Sequence, residues 1–172
     1  MLRAWAPATS RSSTERVAFE QTSFSRTGFC WLRWEASDGV YRYADGLPIV
    51  GPRLVIDGVD AVRVTFQWGA QAAAHCYVVL NTITDRAREH IDDFCMSIGP
   101  ERGDARALVC ALPADAILSY QTVIVGPLGL DPSVGTDMGE WIRFLDDASP
   151  DSSNPLRVVN GRGAAASLFV GP

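Results

Sequence analysis

The 172-residue sequence predicts an all-β sandwich with one or two short helices. Three observations lead there. From Val62 to Trp68, apolar Val62, Val64, Phe66 and Trp68 alternate with Arg63, Thr65 and Gln67, so one face of a strand is apolar and the other polar. About seven short β-rich runs are separated by turn signals at regular intervals, the pattern of a sandwich rather than of βαβ units. Helical periodicity is confined to two short pieces.

The elements follow in order. Phe29–Trp34 and Val40–Tyr43 are short aromatic-rich runs divided by the turn signal Ser37-Asp38-Gly39. Gly46–Pro52 is extended and bounded by breakers. The Val62–Trp68 strand leads through small residues, Gly69 to Ala74, into His75–Leu80, and the two read as an antiparallel hairpin with a rather long loop. Burying the four apolar side chains of the first strand is worth about 6–12 kcal/mol before chain entropy is subtracted. Thr84–Phe94 holds a turn or two of helix. Arg106–Leu112 and Leu118–Val125 are strands joined by Pro113-Ala114-Asp115, and Ala165–Val170 is the last strand. Asp137–Asp146 is a short amphipathic helix around Trp141, Ile142, Phe144 and Leu145. Gly126–Gly135 and Asp146–Pro155 are long loops, expected to be functional or disordered.

This length suits one domain, residues 17–172, behind a Ser-, Ala- and Arg-rich extension over residues 1–16 that is expected to be disordered. A hydrophobic content of 47% supports a proper core. No apolar run reaches the length of a membrane-spanning helix. All 15 basic residues are Arg, a mark of GC-rich coding rather than of function. The net charge of −5 argues against a nucleic-acid partner, which requires a basic surface. Cys30, Cys76, Cys95 and Cys110 are widely spaced and sit mostly in apolar runs, as reduced buried thiols do.

Catalytic motifs are missing. No Gly-x-Ser-x-Gly elbow occurs; Pro132-Ser133-Val134-Gly135 comes nearest but has Asp131 in place of the leading glycine. The two histidines are His75, at a strand start, and His90, in a charged turn beside Glu89, Asp92 and Asp93. Asp92-Asp93 and Asp146-Asp147 have neither calcium-loop spacing nor histidine partners, so they read as solvated surface charge. Gly161-Arg162-Gly163 lacks the Lys-Ser/Thr that a phosphate loop needs. No catalytic residue and no metal ligand is therefore assigned. The candidate ligand contact is the pair Arg86 and Arg88. On an extended segment, residues two apart point the same way, and two guanidinium groups together can hold an anionic or catecholate group. Surface arginines answering Asp85, Glu89, Asp92 and Asp93 are the alternative.

Six pieces occur in an order that resembles a known family. They are Leu47-Pro48-Ile49-Val50, then Val64-Thr65-Phe66-Gln67-Trp68, then Val78–Asn81 with Thr84-Asp85-Arg86. Leu112-Pro113-Ala114-Asp115, Ser119-Tyr120 and Asp151-Ser152-Ser153-Asn154-Pro155 complete the series. Together, over residues 29–170, they resemble the N-terminal domain of enterochelin (ferric enterobactin) esterases. The resemblance implies an early-set immunoglobulin-like β-sandwich. In that family this domain precedes an α/β-hydrolase domain, shapes the substrate cleft and helps domain or dimer contacts. The hydrolase opens the iron-loaded siderophore in the cytoplasm. Two departures stand out: Gly103–Ala107 lacks the aromatic of a family segment, and Ser152 stands where a family proline does.

The resemblance thus implies a substrate-shaping or binding module without its own hydrolase domain, cytoplasmic, with no cofactor beyond the iron of a bound ferric siderophore. Its expected partners are a ferric catecholate siderophore, an α/β-hydrolase acting in trans, and a second copy in a homodimer; no nucleic acid or membrane is expected. Two other functions compete: a self-sufficient esterase with unrecognised catalytic residues, and a carbohydrate- or protein-interaction module. The last would use exposed aromatics such as Trp31 and Trp34, which three-residue spacing puts on opposite faces of a strand.

Overall fold

The computed structural model describes residues 30–31, 48–69, 74–98 and 105–172. Among these, the strands form two antiparallel sheets packed face to face. The first contains β1 (Cys30–Trp31), β2 (Ile49–Ile56), β3 (Val59–Gly69), β5 (Ser97–Ile98) and β6 (Ala105–Pro113). Its order is β1-β6-β3-β2, with β5 also against β6. The second contains β4 (His75–Leu80), β7 (Ile117–Val125), β8 (Arg157–Val159) and β9 (Ala165–Val170), in the order β4-β7-β9-β8. The predicted sandwich is what forms. The extension over residues 1–16, the Val40–Tyr43 run, Trp34 and Gly103-Asp104 lie outside the described residues.

β3 behaves as its alternation dictates. Val62, Val64 and Phe66 are buried, and Trp68 is half-buried against the same core. Asp57 and Gly58 join β2 to β3 with φ of 49° and 80°, the two positive values of a type I′ hairpin turn, which Gly58 adopts without Cβ strain.

The expected β3–β4 hairpin is not present. β3 has both edges occupied, by β2 on one side and on the other by β6, from Ala61↔Pro113 to Gly69↔Ala105. β4 instead pairs with β7, with Val79 opposite Gln121 and Leu80 opposite Tyr120. The chain thus crosses from one sheet to the other between β3 and β4, and again between β6 and β7. The physical reason is that a continuous apolar run such as Cys76–Leu80 must be buried on both faces. One face meets the first sheet, where Tyr120 beside it packs edge-on against Phe66 at 4.9 Å.

The other face is covered by helices, which make a third layer. α1 (Ile83–Arg86), a 3-10 segment (Arg88–Phe94), a 3-10 turn (Pro132–Gly135) and α2 (Met138–Asp146) lie over Tyr77 and its neighbours. Tyr77 meets Phe144 edge-on at 5.9 Å, and Trp141 stacks on Phe144 at 5.3 Å. α2 starts where the sequence predicts: Asp137 Oδ1 accepts the Glu140 N–H at 2.9 Å as an N-cap. Trp141, Phe144 and Leu145 are buried, whereas Ile142 points to solvent.

The two long loops are not loose. In the first, Val134 and Gly135 are buried in the 3-10 turn, and a Cβ on Gly135 would lie 2.7 Å from the Arg88 carbonyl oxygen. The second is fastened to β7 by buried Asn154. Its Nδ2 donates to Tyr120 Oη and the Leu168 carbonyl, both at 3.0 Å, and its Oδ1 accepts the Leu156 N–H at 2.8 Å. Among the described residues, no helix is long and apolar enough to cross a membrane.

Candidate functional site

Arg86 and Arg88 do not lie on an extended segment. Arg86 closes α1 and is exposed; Arg88 opens the following 3-10 segment and is half-buried, its Nε without a hydrogen-bond partner. Helical residues two apart diverge around the axis, so the argument that alternation aims both guanidinium groups at one ligand is corrected.

The catalytic candidates also fall apart. Ser133 sits in the 3-10 turn, where its N–H is held by Asp131 Oδ1 at 2.8 Å, a short cap and not a strand-to-helix elbow. His90 is exposed. His75 is half-buried with Nδ1 3.9 Å from Cys95 Sγ. Burial pushes the Cys95 thiol above its ordinary range, so the pair holds a protonated thiol and no thiolate nucleophile. Cys76 is pushed up to about 12, first by burial and then by Cys95. Cys76, Cys95 and Cys110 are all free. Among the described residues, no cluster of three or more His, Cys, Asp or Glu could hold a metal ion.

The structure does assemble a polar hollow that sequence reasoning did not find. It lies on the outer face of the second sheet, beyond the helical layer, with an enclosed space of about 220 Å³. Val79, Gln121 and Ala166 of β4, β7 and β9 form its floor. Asn81 and Asp85 approach from the β4 side, Ser119 from β7, and Arg162 from the β8–β9 turn. Gln121 is only 3% exposed, and both ends of its amide are used. Its Nε2 donates to the Ala165 carbonyl at 2.9 Å, and its Oε1 accepts from Asn160 Nδ2 at 3.1 Å and Arg162 Nη2 at 3.0 Å. In the sequence, the signal was a lone glutamine in the run Tyr120–Val125, which period-two reading treats as one more outward polar residue.

No family model matches the chain, and no curated protein does. Solved structures do share its fold: a β-sandwich module found within enterobactin esterases. The Shigella flexneri enterobactin esterase in the presence of enterobactin superposes with a TM-score of 0.53 at 22% identity, over 76% of this chain and 33% of that one. The same enzyme in the presence of 2,3-di-hydroxy-N-benzoyl-glycine gives 0.52 at 22% identity, over 75% and 33%. The chain therefore spans about a third of the length of the solved esterases it matches.

Proposed function

We propose that this chain is a substrate-shaping module of the enterochelin-esterase type, working beside an ester hydrolase that provides the nucleophile. The observation that supports it is the likeness to enterobactin esterases over a third of their length. The ordered family-like segments agree with that likeness, and the described residues offer no nucleophile with a base. In this reading the module acts in the cytoplasm and lies against a ferric catecholate siderophore. Arg86 and Arg88 then reach the anionic ligand from two sides of one turn, not as a fork.

Two assays test the proposal. The purified chain alone should hydrolyse ferric enterobactin no faster than buffer. Added to a separately purified α/β-hydrolase encoded beside it, the chain should co-purify with that enzyme and raise its kcat/KM. Turnover by the chain alone would favour a self-sufficient esterase; failure both to associate and to stimulate would remove the module reading.

A further inference from the structure

The hollow over Val79 and Gln121 is built from side chains that are each immobilised from behind. Arg162 is held by Gln121 Oε1 through Nη2, which leaves Nε and Nη1 for a ligand. Asp85 Oδ1 accepts Trp141 Nε1 at 3.2 Å, and Trp141 is itself buried, so the carboxylate is fixed with Oδ2 to spare. Asn81 Nδ2 donates to Ser119 Oγ at 3.1 Å, which leaves the Asn81 carbonyl and the Ser119 hydroxyl proton. A long surface side chain gives up about 2 kcal/mol of rotamer entropy when it is ordered on binding. Here the fold has already ordered them, the arrangement that favours a small ligand.

A strained residue places two of these groups. Thr82, between Asn81 and the start of α1, has φ of 71°, a left-handed value that a β-branched side chain rarely adopts. That turn swings the chain from β4 into α1, bringing Asn81 and Asp85 to the same wall. Strain of this kind collects at ligand sites because the surrounding structure must enforce it.

The donors and acceptors define the ligand. A cation and an anion enter from different sides, Arg162 from the β8–β9 turn and Asp85 from α1, above an apolar and amide floor. The space is smaller than the 300 Å³ or so at which drug-sized sites begin. We propose that the hollow binds a small zwitterionic α-amino acid, its carboxylate on Arg162 and its ammonium on Asp85. Ser119 and Asn81 are then available to a short polar side chain.

L-Serine is the probe, titrated into the intact chain and followed by backbone amide NMR. The expected result is saturable shifts confined to Asn81, Asp85, Ser119, Gln121 and Arg162. Lactate, without the ammonium, and ethanolamine, without the carboxylate, should each bind about tenfold more weakly or worse. Arg162→Ala should weaken serine by a similar factor. So should Asp85→Asn, which retains an oxygen for Trp141 and so separates charge from folding. Arg143→Ala, on the exposed side of α2, should leave binding unchanged. Shifts that fail to saturate, equal binding of lactate and ethanolamine, or full binding by Arg162→Ala would each overturn the proposal. The titration uses neither siderophore nor hydrolase, so it stands or falls apart from the esterase reading.

Discussion

Tyr120 and Asn154 meet in the centre of the molecule: the amide Nδ2 of Asn154 donates to Tyr120 Oη at 3.0 Å, and that hydroxyl donates onward to Asp151 Oδ2 at 2.9 Å. Asn154 has no exposed surface. Asp151 also accepts the Ser153 N–H at 2.9 Å and the Ser153 hydroxyl at 2.6 Å, so one short segment closes on itself and on β7. Asn154→Ala removes three hydrogen bonds and orphans buried groups. It should cost about 2–4 kcal/mol in urea unfolding. Tyr120→Phe, which keeps the ring against Phe66, should cost about 1–2 kcal/mol.

Stability should fall in alkali. Burial pushes the Cys76 thiol from its ordinary 9.0 to about 12, and burial likewise raises Tyr77 and Tyr120. For an acid whose folded pKa is raised, the contribution is full below the unfolded value and is lost as pH climbs toward the folded one. For Cys76 that window runs from pH 9.0 to about 12. Urea unfolding at about pH 10.5 should show a loss on the order of 2 kcal/mol from this thiol relative to pH 8. Cys76→Ser should change the alkaline slope, and an unchanged slope would assign the loss to the tyrosines.

Gly135→Ala should destabilise, although alanine normally improves an ordered glycine position. The new methyl would lie 2.7 Å from the Arg88 carbonyl, a backbone atom that cannot swing aside. A cost of about 1–3 kcal/mol is expected, read as a lowered Tm.

Asp137→Ala should remove the N-cap of α2 and cost about 1 kcal/mol. Since α2 carries Trp141, the loosening should show in tryptophan fluorescence.

Arg86→Ala and Arg88→Ala bear on the esterase reading. With the two side chains diverging, their effects on ferric siderophore binding should be separate and additive, in contrast to the joint loss a bidentate clamp gives. Titration of both single variants and the double variant measures this.

How much of this was legible varies with what each residue decides. Val62 to Trp68 alternate, and alternation states which side of a strand is buried; β3 obeys it. Asp137 before an apolar helix stripe marked α2 to within a residue. Pairing is different. Nothing local in Cys76–Leu80 says that β7 rather than β3 will be its neighbour, because that choice depends on β2 and β6 having taken both edges of β3. The Asp57-Gly58 hairpin was written plainly and simply passed over. The hollow could not be read at all: Asn81, Ser119, Gln121 and Arg162 converge only after three separate stretches of chain have packed. Arg86 and Arg88 show the same limit, since their spacing has opposite meanings on a strand and on a helical turn.

The two crossings, after β3 and after β6, have a kinetic meaning. Neither sheet can be completed from a continuous piece of polypeptide: β4 has no ladder until β7 arrives, and β3 stays open along one edge until β6 is made. Assembly must hold distant segments together before most of the ladder bonds form, so refolding should be slow for a domain of this size. It also means that no cut between the sheets yields a self-sufficient half. Fragments divided near residue 72 should remain unfolded apart and recover structure only when mixed.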